Sequence, residues 1–89
     1  MNSLFPLGQM VITATARISV HPADVQLAIG RHARGDWGDL DTDDKAANDA
    51  AILELTRVFS AYHDRNGTKF YVITEHDRSL TTILLPEDY

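Results

Sequence analysis

The chain contains no cysteine, so neither a disulfide nor a thiolate metal site can form. That absence is consistent with a reducing cytoplasm. Its apolar runs are only a few residues long, far below the roughly 20 residues that a membrane-spanning helix needs. The segment Met1–Gln9 has neither a basic start nor an apolar core, so it does not look like a signal peptide. We therefore expect a cytoplasmic protein that does not bind membranes.

Positive charge is also scarce. The chain carries 8 Lys and Arg residues against 13 Asp and Glu residues, which gives a formal net charge of −5. Since phosphate contacts depend on Lys and Arg, this balance argues against direct nucleic acid binding and against binding to an anionic membrane. It favours a partner protein with a basic surface.

The length and the motif content set further bounds. A chain of 89 residues, of which 44% are hydrophobic and 24% charged, is expected to form one globular domain over residues 1–89. We find no cofactor motif. No two of the four histidines have the i, i+4 spacing of a helical metal site, so we predict neither a cofactor nor a metal. They are His21, His32, His63 and His76.

Periodicity predicts a strand and two helices in the first part of the chain. The strand is expected at Gln9–Thr13, and the following segment Ala14–Val20 suits either a helical turn or a second strand. Pro22 is typical of a first helical turn, and apolar residues at helical spacing, including His32, extend that helix to about residue 33. A second helix is expected to begin at residues 41–42, where Asp41 or Thr42 would be its N-cap.

The C-terminal half predicts an antiparallel meander. Strands are expected at residues 57–63, 69–74 and 80–85, with Asn66-Gly67 as a tight turn between the first two. The predicted fold class is α+β in two layers: an antiparallel sheet of three or four strands covered by two helices. The predicted core consists of Val11, Val25, Ile29, Trp37, Leu53, Val58, Phe59, Tyr62, Phe70, Val72, Ile83 and Leu85.

The segment Gly35-Asp36-Trp37-Gly38-Asp39 holds the only tryptophan and has two interpretations. In the first, its side chains contact a partner; in the second, Trp37 covers the core while the aspartates cap backbone groups. The acidic run that continues to residue 49 is opposed only by Lys45, so it suits either docking on a basic protein or a solvated helix start. The candidate partner-binding residues are Asp36, Trp37, Asp39 and Asp43.

The polar segment Glu75–Ser79 also has two interpretations. Glu75 and His76 could act as acid and base while Arg78 stabilises an anion, as in a small metal-independent ribonuclease. Alternatively, Asp77 forms an Asx-type turn and Arg78 pairs with an acidic residue of the tryptophan segment.

Several blocks together resemble a family of small, uncharacterised bacterial proteins that are associated with plasmids and integrative elements and labelled "plasmid-related protein". The resemblance runs from Gly8 to Tyr89, and the chain looks short for the family between residues 15 and 25. It implies a mobile-element context and no particular activity. The blocks are Gly8-Gln9, Arg31–Leu40, Lys45–Asn48, Ser60–Tyr62 and Ile73–Glu87.

Small size, acidity and this resemblance predict a non-enzymatic accessory protein of a mobile genetic element. It would act through the acidic tryptophan segment on a basic protein surface, as an inhibitor of a nucleic-acid-directed defence. The alternative is the ribonuclease or another hydrolase that uses Glu75, His76 and Arg78. A third hypothesis is a homodimer joined through an edge strand or the Trp37 face.

Overall fold

The structure, a computed structural model, describes residues 3–89. The predicted α+β class is confirmed, and the ambiguous segment after the first strand forms a third helix. Within residues 3–89, no helix is long and apolar enough to cross a membrane. In chain order the elements are β1 (Gln9–Ile12), α1 (Ala14–Ser19), α2 (Pro22–Ala33), α3 (Thr42–Glu54), β2 (Val58–His63), β3 (Lys69–Thr74), β4 (Leu80–Leu84) and a short 3-10 helix (Pro86–Asp88).

The four strands form one sheet in the order β1-β4-β3-β2. The pairs β2–β3 and β3–β4 are antiparallel, as the short turns predicted. β1 differs, because it lies parallel to β4 with Ile12 beside Ile83. The sequence holds no local signal for this direction, since β1 is separated from β4 by most of the chain.

Side chains cap the starts of the helices. Asp41 is the N-cap of α3, as predicted, and its carboxylate accepts a hydrogen bond from the backbone N–H of Asp44 at 2.8 Å. His21 caps α2 in the same way through its Nδ1. These contacts satisfy backbone donors that a helix start leaves without an intrahelical partner.

Two apolar clusters lie on one face of the sheet, because alternate strand residues point to the same side. The larger cluster joins β2, β3 and β4 to α1 and α2. The smaller cluster joins Val58 to Phe5, Trp37 and Ala51 of α3. The opposite face carries a group of three aromatic rings from Phe59, Tyr71 and Tyr89.

Three residues of the predicted core lie outside it, and one of them is Phe59, whose ring packs with Tyr71 and Tyr89 on the opposite face of the sheet. Leu53 is 86% exposed, because α3 directs Asn48, Ala51 and Ile52 toward the sheet and leaves Leu53 on its solvent side. Val11 is 38% exposed, because β1 is an edge strand. The prediction that Trp37 belongs to the core is confirmed, since that side chain is 4% exposed.

Candidate functional site

The tryptophan segment, residues 35–39, acts as a short extra strand on the outer edge of β2. The backbone N–H of Ala61 donates to the Trp37 carbonyl at 3.2 Å, and the N–H of Asp39 donates to the Ala61 carbonyl at 2.7 Å. Gly38 lies between them with a φ of +75°, and a Cβ there would meet the Ala61 oxygen at 2.0 Å. Only glycine fits this close approach of two backbones.

The side chain of Asn48 covers the next part of the same outer edge of β2. The backbone N–H of Phe59 donates to Asn48 Oδ1 at 3.0 Å, and Asn48 Nδ2 donates to the Phe59 carbonyl at 2.5 Å. One amide side chain therefore takes the place of a neighbouring strand residue. This role of Asn48 was not predicted from the sequence. The only signal was its place on a helix directly before an edge strand.

Trp37 is part of this structural arrangement. Its ring packs against Phe5 and against the edge of His32, and its Nε1–H donates to the carboxylate of Asp49 at 3.0 Å. The indole therefore holds the segment against α3 and the core. Its predicted contact with a partner stays a prediction, and such a contact would require the ring to leave this position.

The aspartates beside Trp37 stay at the surface and have internal partners. Arg31 holds Asp36 through two hydrogen bonds, of 2.7 and 3.1 Å, and this contact keeps the pKa of Asp36 below its usual range. Asp36 also accepts from the Gly38 N–H, as a capping role predicts. The Asp39 carboxylate lies 2.7 Å from Nδ1 of His63.

Residues 36–54 carry the net charge of the protein. This acidic segment holds seven carboxylates and one cation, Lys45, whereas the rest of the chain holds six acidic and seven basic residues. All seven carboxylate residues are exposed. Among them Asp43, Asp44 and Glu54 have no side-chain hydrogen bond or ion pair with any other described residue. Exposed leucines, Leu53 and Leu55, stand at the C-terminal end of the segment.

Arg78 does not pair with the tryptophan segment, so that prediction is wrong. Its guanidinium donates to the carbonyls of Ala51 at 2.9 Å, Thr56 at 2.6 Å and Glu75 at 3.1 Å. The Ala51 carbonyl also accepts from the backbone N–H groups of Leu55 and Thr56, so Arg78 adds a further bond there. It also satisfies the Thr56 carbonyl just beyond the end of α3. Asp77 forms the predicted Asx-type turn by accepting from the N–H of Ser79 at 3.1 Å.

The other members of the predicted ribonuclease site do not converge on Arg78. The Glu75 carboxylate lies 3.6 Å from Arg57, and His76 is exposed. Arg78 itself is 9% exposed and directs its donors to the backbone. The catalytic alternative therefore stays a prediction in which the arginine that should bind the phosphate is already engaged.

A buried polar network crosses the boundary between the two apolar clusters. Nδ1 of His32 lies 2.6 Å from the Ser60 hydroxyl, and Nε2 lies 2.9 Å from the Thr74 hydroxyl. Thr74 in turn contacts Thr81 at 2.7 Å, and Thr81 donates to the Leu7 carbonyl at 2.6 Å. The sequence places His32 on the apolar side of α2, but it does not reveal these partners.

The last bond of this network fixes the direction of all the others. Because Thr81 donates its only hydroxyl proton to a carbonyl, Thr74 must donate to Thr81 and accept from His32 Nε2–H. The neutral imidazole then accepts at Nδ1 from Ser60. Burial, together with a smaller contribution from the charge of Arg78, lowers the pKa of His32 to about 4. His32 is therefore neutral at pH 7 and holds α2 on the sheet.

An open cleft of about 690 Å³ lies between α2 and the end of β2. Its floor includes Tyr62, whose hydroxyl donates to the Asp36 carbonyl and whose pKa is raised to about 12 by burial. Arg31 and Arg65 at its rim are each held by a carboxylate, the latter by Asp24 at 3.0 and 3.1 Å. The charges at this rim are therefore balanced rather than basic.

Within residues 3–89, no group of three or more acidic or histidine side chains is placed to hold a metal ion. Comparison with known proteins adds no assignment. No family model matches this chain, and neither a curated protein nor a solved structure matches it.

Proposed function

We propose that this protein is a small non-enzymatic accessory factor that docks through the acidic segment, residues 36–54, onto a basic surface of another protein. The observation that supports the proposal most strongly is the separation of charge. Seven exposed carboxylates and a single lysine occupy one continuous segment, and the remainder of the chain is close to neutral. Such a field attracts a basic partner and speeds its association.

The chemistry of the segment favours a protein partner. Asp43, Asp44 and Glu54 are not engaged elsewhere in the described chain, so they are available for cations of a partner. Leu53 and Leu55 are 86% and 63% exposed beside them. Exposed apolar residues within a charged region are typical of protein–protein interfaces.

The mobile-element context comes from the resemblance of the sequence blocks, and it suggests what docking would achieve. A basic protein surface that is covered by α3 cannot bind nucleic acid phosphates at the same time. We therefore propose inhibition of a nucleic-acid-binding protein, with cytoplasmic localisation as part of the same hypothesis. No part of this mechanism requires catalysis, a cofactor or direct contact with nucleic acid.

Two variants of equal charge test the proposal. Asp43→Asn/Asp44→Asn removes two free carboxylates of the acidic segment, and Glu75→Gln/Glu87→Gln removes two carboxylates outside it. Each pair raises the net charge by two, so general electrostatics are matched. Proteins captured from a bacterial extract by the immobilised wild type are identified by mass spectrometry, and their affinities are measured with the purified proteins.

We expect the first double variant to weaken binding about tenfold or more at low salt, and the second to leave it within about twofold. Added nucleic acid should compete with the wild type for the same partner. Equal binding by both variants would contradict the proposal, as would capture only of partners without a basic surface.

A further inference from the structure

The outer edge of β1 is open. The N–H groups of Gln9 and Thr13 donate to β4, at Ser79 and Ile83. Because strand residues alternate, the backbone groups of Met10 and Ile12 point away from β4. Within residues 3–89, no strand or loop pairs with that side of β1.

The open edge lacks the features that keep such strands apart. Monomeric proteins protect edge strands with charges, proline or bulges. The sequence of β1 is Gln-Met-Val-Ile, which has none of these. Met10 and Val11 are 39% and 38% exposed, so this edge presents apolar surface to the solvent.

We propose that β1 pairs with β1 of a second copy, antiparallel and centred on Val11, to form a two-fold symmetric dimer with one continuous eight-stranded sheet. In this register Met10 lies opposite Ile12 of the second copy, and the reverse pair follows by symmetry. Residues whose backbone groups face outward exchange both bonds in an antiparallel pair, so four hydrogen bonds form. The strand is thus complementary to itself.

Side-chain positions agree with this register. Met10 and Ile12 share the face of Thr81 and Ile83, which is the face that the helices cover. An apolar groove of about 380 Å³ lies beside them, and Val25 and Ile29 of α2 form part of its lining. Met10 of the second copy would lie over this groove. Residues opposite each other in a sheet share a face, so the helices of both copies cover the same side.

The charge distribution favours a second copy at this edge. The acidic segment borders β2, at the far end of the sheet from β1. In the joined sheet the two β2 strands are seven strand spacings apart, or roughly 34 Å. That separation exceeds the Debye length of about 8 Å at physiological salt. Two copies with a net charge of −5 can therefore meet at β1 without bringing their acidic segments together.

Sedimentation velocity over a concentration series measures the association, and two lysine variants locate it. Val11→Lys places two like charges across the two-fold axis. Leu53→Lys makes the same change at an exposed apolar residue of α3. We expect a concentration-dependent dimer for the wild type and Leu53→Lys, and at least about tenfold weaker association for Val11→Lys. Circular dichroism verifies that each variant is folded.

A conservative variant provides an independent test, since the chain has no native cysteine. Val11→Cys places two thiols at the non-hydrogen-bonded pair on the axis, at a separation that a disulfide can bridge. We expect it to form a disulfide-linked dimer at least about tenfold faster than Leu53→Cys under the same mild oxidation. A single-copy mass at every concentration would overturn the proposal. So would a dimer that Val11→Lys does not weaken, or equal oxidation rates of the two cysteine variants.

Discussion

At the β2 edge of the sheet, the outward backbone groups of Phe59 and Ala61 are bonded to the side chain of Asn48 and to the tryptophan segment. At the β1 edge, the corresponding groups of Met10 and Ile12 face outward without such a cover. The most conspicuous motif of this sequence therefore protects one edge. The other edge is left available for association.

The tryptophan segment has a structural role at this edge, and the proposed docking would use its carboxylates. Its backbone, Gly38 and the indole of Trp37 hold the edge, while its carboxylates remain exposed as part of the acidic segment. The turn at residues 75–79 also carries two carboxylates, yet its arginine is directed inward. Composition alone therefore does not distinguish a surface site from a buried contact.

The largest effect is expected from breaking the close approach at the capped edge. In Gly38→Ala, the added Cβ would lie 2.0 Å from the Ala61 oxygen, on a backbone with a φ of +75°. We expect a loss of about 4–5 kcal/mol in the free energy of unfolding, measured by chemical denaturation. Gly67→Ala is the control, because Gly67 has a φ of +84° and open space around it. That variant should lose only about 1 kcal/mol. Equal losses in the two variants would show that the positive φ, and not the contact with the Ala61 oxygen, determines the cost.

The second effect tests how α3 is held beside β2. Arg78→Met removes the donors that satisfy the carbonyls of Ala51, Thr56 and Glu75. We expect a loss of about 3 kcal/mol, because the Thr56 carbonyl loses its donor and the carbonyls of Ala51 and Glu75 keep only their backbone N–H donors. Arg57→Met changes an arginine whose side chain is 48% exposed and should cost under about 0.5 kcal/mol. Thermal and chemical denaturation measure both variants, and similar costs would contradict the buried role of Arg78.

The third effect is a pH dependence that originates at His32. Its pKa in the folded protein is about 4 against 6.5 for an unperturbed histidine, so below pH 6.5 the unfolded chain binds the proton first. The contribution of neutral His32 to the free energy of unfolding is fully present above pH 6.5. It should fall as the pH drops, by about 3 kcal/mol at pH 4. Denaturation at pH 7, 6 and 5 measures the slope above the range in which carboxylates titrate. His32→Gln should flatten it, and an unchanged slope would assign it to another group.

The fourth effect concerns the side chain of Asn48, which covers the β2 edge at Phe59. Asn48→Ala leaves the N–H and the carbonyl of Phe59 without their partner, and we expect a loss of about 2 kcal/mol. Amide hydrogen exchange should show loss of protection at Phe59 before any change in β3. Asn66→Ala, at an exposed turn residue, is the matched control and should have no measurable effect. Protection of Phe59 that survives the change would mean that Asn48 does not cap the edge.

The smallest effect is expected at the open edge. Val11→Lys, measured at a concentration where the protein is monomeric, should change the free energy of unfolding by no more than about 0.5–1 kcal/mol. Val11 is 38% exposed and its side chain is not part of either core cluster. A larger loss would mean that this edge contributes to the monomer core, and the contrast between the two edges would then be weaker.

Much of the fold could be predicted because its signals are local. Three predicted features depend on only a few neighbouring residues each, and the structure confirms them: the N-cap at Asp41, the Asn66-Gly67 turn and the helix α2. The direction of β1 could not be predicted, because it depends on a contact with a strand about 70 residues away. Leu53 was assigned to the core for a related reason: its apolar spacing does not say which side of α3 meets the sheet.

The features of the candidate site also fall into those that are local in the sequence and those that depend on tertiary contacts. Charge and local propensity identify a small acidic α+β protein whose negative charge is concentrated in residues 36–54. Long-range contacts, which the sequence does not reveal, turn Trp37 toward the core and direct Arg78 to the end of α3. They also join four polar side chains in one buried network: His32, Ser60, Thr74 and Thr81. The physical reason is that charge and short-range propensity belong to individual residues, whereas the partner of a polar group depends on what folding brings within about 3 Å of it.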